Sequence, residues 1–140
     1  MEAPEARFRL KLAGGFLEEA RQDIDLERWR SCVDNAPLAA ENAAKAALAI
    51  LGPVGRSHSP AALLRDGLEN RLFPEAVQRE VQEIAECAEL LGPDVHIASD
   101  YGDEAAWRTP WELFDEADAR QAMGLAERAL TLAQKVIEGP

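Results

Sequence analysis

Four groups of residues have types and spacings that could do chemistry. Glu41 and Lys45 stand four positions apart with the acid toward the N-terminus, so on a helix they face each other. Spacing alone reads as a surface ion pair; the functional alternative is a polar pair overlooking a cleft. The segment GPVGRSHSP, residues 52–60, sets Arg56 and His58 just before a helix start. The free N–H groups of a helix N-terminus favour an anion such as phosphate. Gly52 and Gly55 permit tight turns there. The segment is not a P-loop, since GxxxxGK[ST] and a preceding strand are missing, and a plain helix–helix connection is the competing reading.

The third group lies in HIASDYGDE. His96, Asp100, Asp103 and Glu104 could offer nitrogen and oxygen ligands. Their spacing matches no metal motif, and a solvated acidic turn is the better reading. We expect no metal and no cofactor. In the fourth group, Trp107 and Trp111 flank Arg108. Such a cluster can stack a planar base, or it can cover one end of a helical bundle, which is the better reading. Nucleophilic triads have little support: there are two histidines, no GxSxG, and no cysteine near either histidine in sequence. Cys32 and Cys87, without a CxxC, read as small core residues.

The elements that must position these groups read as helices throughout, with no alternating β-branched stretch long enough for a strand. A first helix spans about residues 5–24, with Phe8, Leu12, Phe16 and Ala20 as one stripe and Gly14-Gly15 as an interruption. A second runs from Leu26 to about Leu51. Trp29, Val33, Ala36, Ala40, Ala43, Ala47 and Ile50 form a small-residue seam along it, and Pro37 should kink or divide it. Ser59-Pro60 starts a third helix as N-cap and first position. Pro74 opens a fourth, with Val77, Val81, Ile84, Ala88 and Leu91 on one face. A loop of about 20 residues follows, unusually long for a compact domain, with one helical turn at Thr109-Pro110. Asp115 then caps a last helix lined by Ala119, Ala122, Ala126, Leu130, Ala133 and Ile137. The expectation is an all-α, up-and-down antiparallel bundle of about five helices.

The chain has 140 residues, which argues for one domain, 1–140, with a core large enough to need no disulfide or metal. No apolar run is long enough to span a membrane, and the first residues lack the apolar segment of a signal peptide, so a cytoplasmic protein is expected. The net charge of −11 disfavours RNA, whose backbone is bound by neutralising phosphates.

The order of these motifs resembles the HEPN family (higher eukaryote and prokaryote nucleotide-binding domains). AAENAAKAALAILG matches the family's second helix, with Glu41 and Lys45 in place. RSHSPAALL places His58 where the family has its histidine. SDYGDE supplies Tyr101 and Asp103 for the RYPD-type loop, and the final helix opens with Asp118-Ala119. The resemblance covers about residues 16–138. It implies a helical bundle that forms a homodimer, with a polar groove near the dimer axis. It also implies a partner, since many members pair with a minimal nucleotidyltransferase in prokaryotic two-protein, toxin–antitoxin-like systems.

The sequence departs from the family's ribonuclease branch. That branch has an Arg followed by a His after four to six intervening residues. The matching positions here are Leu51, Gly52 and Pro53 before His58, and Glu89, Leu90 and Leu91 before His96. The RYPD arginine is replaced by Asp100 and its proline by Gly102. The expected function is therefore non-catalytic binding of a nucleotide or partner through Glu41, Lys45, Arg56, His58 and Tyr101. Arg56 and Lys45 would contact phosphate, Tyr101 would stack or pack, and His58 would donate a hydrogen bond. The alternatives are a metal-independent ribonuclease using His58 and a protein-only scaffold subunit.

Overall fold

The computed structural model describes residues 4–57 and 59–139, so His58 lies outside the described residues. The helices are α1 (Pro4–Asp25), α2 (Trp29–Leu48), α3 (Pro60–Glu69), α4 (Gln78–Leu90), α5 (Pro93–Tyr101), α6 (Pro110–Leu113) and α7 (Glu116–Glu138), with a single 3-10 turn at Glu75–Val77 before α4. Among the described residues there is no strand, only an isolated bridge between Asp103 and Arg108. The fold is the expected all-α bundle.

Helix α2 is its centre. It packs against α1, α3, α4, α5 and α7. From Asn42 to Ala49 every residue is buried, whichever way it points. A helix enclosed in this way must carry small side chains if its neighbours are to reach packing distance. Ala36, Ala39, Ala40, Ala43, Ala44, Ala46 and Ala47 meet that need and are wholly buried. Pro37 neither ends nor divides the helix, which runs unbroken from Trp29 to Leu48. Surrounding helices clamp both halves, and packing outweighs the lost N–H donor.

The α1 stripe differs from expectation. Its buried line is Ala6, Leu10, Ala13, Leu17 and Ala20, stepping four, three, four, three. Phe8 instead stands 54% exposed. An exact four-residue step drifts around a 3.6-residue helix, so the stripe that alternates three and four wins. The Gly14-Gly15 pair does not interrupt α1, and a Cβ at either position would meet open space. A short turn joins α1 to α2. There the buried Asp23 carboxylate accepts from Arg28 Nη2 at 2.9 Å and Asn35 Nδ2 at 2.9 Å.

The long loop is also more ordered than expected. Gly92-Pro93 does not only close α4. Gly92 is the N-cap of α5, and Pro93 takes its first turn. After Tyr101, Gly102 adopts φ +74°, where a Cβ would run into the Arg108 carbonyl oxygen. The hairpin closes through Asp103 N–H to the Arg108 carbonyl and Arg108 N–H to the Asp103 carbonyl, both 2.9 Å. Helix α6 is the turn expected at Thr109-Pro110, with Thr109 and Glu112 forming a capping box. Asp115 caps α7 as expected, accepting from Asp118 N–H at 3.0 Å.

Two substitutions test this packing. Gly15→Ala should raise stability by about 0.5–1 kcal/mol, since an exposed helical glycine costs that much and the space is free. Ala43→Leu should lower it by about 1–3 kcal/mol, because an enclosed seam cannot admit the added carbons. Urea denaturation monitored by helical circular dichroism measures both.

Candidate functional site

The central helix sets out the polar residues. Arg30, Asp34, Glu41 and Lys45 follow one another at four, seven and four positions along α2. They form a single stripe, broken in the middle by Pro37 and Leu38. Against this stripe lies a cavity of about 580 Å³, walled by Pro37, Leu38 and Glu41 of α2, the start of α3, Ala88, Glu89 and Leu91 at the end of α4, and α5.

Two helix N-termini open into the cavity. Ser59, Pro60, Ala61 and Ala62 bring the cap and first turn of α3, and Gly92 and Pro93 bring those of α5. Ser59 occupies the expected N-cap position, yet neither cap supplies a side-chain bond. The Ser59 N–H is itself taken by Ser57 Oγ at 3.0 Å. Pro60 and Pro93 carry no N–H and the Val95 N–H bonds the Gly92 carbonyl at 3.1 Å, so the partial positive charge of the two ends rests on the remaining first-turn N–H groups. Most of the wall is apolar, from Leu38, Leu91 and Ile97.

The two carboxylates in the wall are matched. Glu41 lies 3.5 Å from Lys45 Nζ, and Lys45 is 7% exposed, so this is no surface pair. Glu89 accepts from Arg65 Nη2 at 2.8 Å and Nε at 3.2 Å. That bidentate hydrogen bond holds the Glu89 carboxyl below its usual range.

The expected site residues do not all share this crevice. Glu41 lines it, with Lys45 beside Glu41. Arg56 is exposed on the segment that enters α3. Tyr101, 68% exposed at the end of α5, lines a separate cleft with Asp94, Asp103 and Glu104. Neither cleft is lined by Lys45 or Arg56. The two tryptophans do not cover the bundle end. Trp107 is 89% exposed at φ +57°, while Trp111, 72% exposed, has the Arg30 guanidinium 5.7 Å from its ring centre.

His96 lines the cavity too and belongs to a second polar group on the α2–α5 seam. Its Nδ1 lies 3.4 Å from Asp34 Oδ1 and its Nε2 lies 3.7 Å from Asp100 Oδ2. Ser99 Oγ donates to Asp34 Oδ1 at 2.8 Å, and Arg30 donates to Asp100 Oδ1 and the Ser99 carbonyl at 2.9 and 2.6 Å. Of the acidic-turn residues, Asp103 instead caps Ala106 N–H at 3.1 Å, and Glu104 lines the Tyr101 cleft. Asp34 and Arg30 escaped the sequence reading. Their signal was the matched i,i+4 spacing of Arg30 with Asp34 and of His96 with Asp100, visible once residues 93–101 are read as helix.

Both cysteines are buried free thiols. Burial, reinforced by the Asp23 carboxylate, pushes Cys32 up to about 11. A thiol in that state is not a nucleophile near neutral pH.

The HEPN domain profile matches residues 6–136, and the chain belongs to that family. A helical bundle with a nucleotide-binding or ribonuclease-like character is thereby its class. The chain is similar in fold to the crystal structure of TT1696 from Thermus thermophilus, with a TM-score of 0.68 and 23% identity over 96% of this chain and 99% of that one. No curated protein matches the chain significantly.

A colorimetric thiol reagent at pH 7.5 should find neither cysteine reactive in the folded protein and both reactive in denaturant. Fast reaction of Cys32 in the native state would contradict the burial described.

Proposed function

We propose that the chain is a non-catalytic, nucleotide-binding HEPN protein that acts as a homodimer. The observation that carries this reading is the cavity where the first turns of α3 and α5 converge beneath an apolar wall. A nucleotide has matching halves: the planar base takes the apolar side, and the phosphates take the helix N-termini. At about 580 Å³ the cavity falls within the common range for small-molecule sites.

The five sequence candidates take different parts. Glu41 faces the ligand. Lys45 neutralises Glu41 and so keeps a bare carboxylate away from the phosphates. Arg56 and His58, on the segment leading into α3, add phosphate contacts. Tyr101 lies beyond the cavity, one turn past Ile97. Homodimerisation draws on exposed Leu63 and Leu90, the sequence neighbours of cavity residues Ala62 and Leu91, and on Ile97 itself. A nucleotidyltransferase partner in a two-protein system fits the same reading. The acidic exterior of the chain suits a basic partner face.

Calorimetric titration of the pure protein with ATP, ADP, AMP and GTP tests the reading. Binding is expected, and Ala62→Trp, which fills the cavity from an exposed position, should weaken it at least tenfold. Absence of heat with every nucleotide, or equal affinity in the Trp variant, would overturn it. Light scattering on a sizing column should give a dimer mass, shifted toward monomer by Leu63→Asp with Leu90→Asp.

A further inference from the structure

We propose that Asp34, His96 and Asp100 form a divalent metal site on the α2–α5 seam, suited to a borderline ion such as Zn²⁺. One donor atom from each of the three lies within 4.8 Å of the others. Two donors sit one turn apart on α5, and the third comes from the facing α2. Metal–ligand bonds of about 2.0–2.2 Å place neighbouring donors about 3–3.5 Å apart, so closing on an ion asks for inward movement of about 1 Å. One imidazole and two carboxylates form the mixed nitrogen and oxygen set that borderline divalent ions accept.

A second observation points to a ligand. His96 Nδ1 is closed off from solvent, yet no hydrogen bond reaches it. It stands 3.4 Å from Asp34 Oδ1, longer than a good N–H···O hydrogen bond. A cation between them resolves that contact. The surroundings also orient the donors. Ser99, wholly buried, fixes Asp34 through its hydroxyl. Arg30 takes Asp100 Oδ1 and leaves Oδ2 toward His96. Outer partners of this kind hold ligand carboxylates in place. The Arg30 guanidinium offsets one of the two carboxylates and leaves the other for a divalent ion to meet.

The site stands independently of nucleotide binding, although His96 also lines the cavity. Titration of Zn²⁺ into tag-free, chelator-stripped protein, with no nucleotide present, should show one ion per chain. Affinity should fall at least tenfold in His96→Ala and in Asp34→Asn. The asparagine retains an acceptor for Ser99, and His96 is partly exposed, so neither change threatens folding. Glu104→Gln, outside the cluster, should bind as the parent does. With Co²⁺ as probe, visible d–d absorption should appear in the parent and vanish in His96→Ala. An absence of Zn²⁺ binding, or binding that survives both variants, would overturn the site and mark the three residues as a helix-to-helix ion pair.

Discussion

The structure depends on one constraint: α2 is enclosed by the six other helices and has to be thin. Alanine is the residue that allows this without surrendering helix propensity. Each neighbour can then approach closely, so a small amount of apolar area per residue still excludes water along the whole seam. Polar side chains on α2 are tolerated only where a partner is at hand. Asn42 donates to the Leu38 carbonyl at 3.0 Å, and the ammonium of Lys45 meets Glu41. A lone charge in such a place would cost several kcal/mol, at roughly the scale of an uncompensated buried ion.

That constraint also fixes where a site can be. At Pro37, Leu38 and Glu41 the stripe from Arg30 to Lys45 borders a cavity that α3, α5 and the end of α4 wall. Helices α3 and α5 run ten and nine residues, against twenty for α2. Short helices present their ends as well as their sides. Here two beginnings meet over the same stretch of α2, which leaves a cavity rather than a closed seam.

Residues with strong periodic burial were legible in the sequence. The α7 line from Ala119 to Ile137 and the α2 seam from Val33 to Ala47 are both buried as their spacing dictates, while Trp29 and Ile50 at the seam's ends are half-buried. Helix α5 was not legible, for a physical reason: it buries only Ser99. A helix that rests on the bundle through half-buried Val95, one serine, a histidine and an aspartate shows no apolar period, and its acidic residues look like a turn. The Glu41–Lys45 pair was legible as a pair, but not as buried, because enclosure of α2 is a property of its neighbours. Convergence of the α3 and α5 N-termini was likewise invisible, since the two lie more than thirty positions apart in the chain.

The acidic balance does not argue against an anion in the cavity. Fields of exposed charges fade over about 8–10 Å at ordinary ionic strength, so a ligand there responds chiefly to the groups lining it. Glu41 and Glu89 are each matched by a cation, Lys45 and Arg65. The partial positive charge of the α3 beginning then has no acid in its first turn to offset it, while Asp94 stands in the first turn of α5. Asp94 and Glu104 line the Tyr101 cleft, and an anion placed against Tyr101 would meet them without a lining cation to offset their charge. The same chain thus presents a cavity whose lining carboxylates are paired and an adjoining acidic cleft, with Ile97 common to both. Total charge governs the approach of a ligand from a distance, and the pairing of individual side chains decides which of the two recesses can hold it.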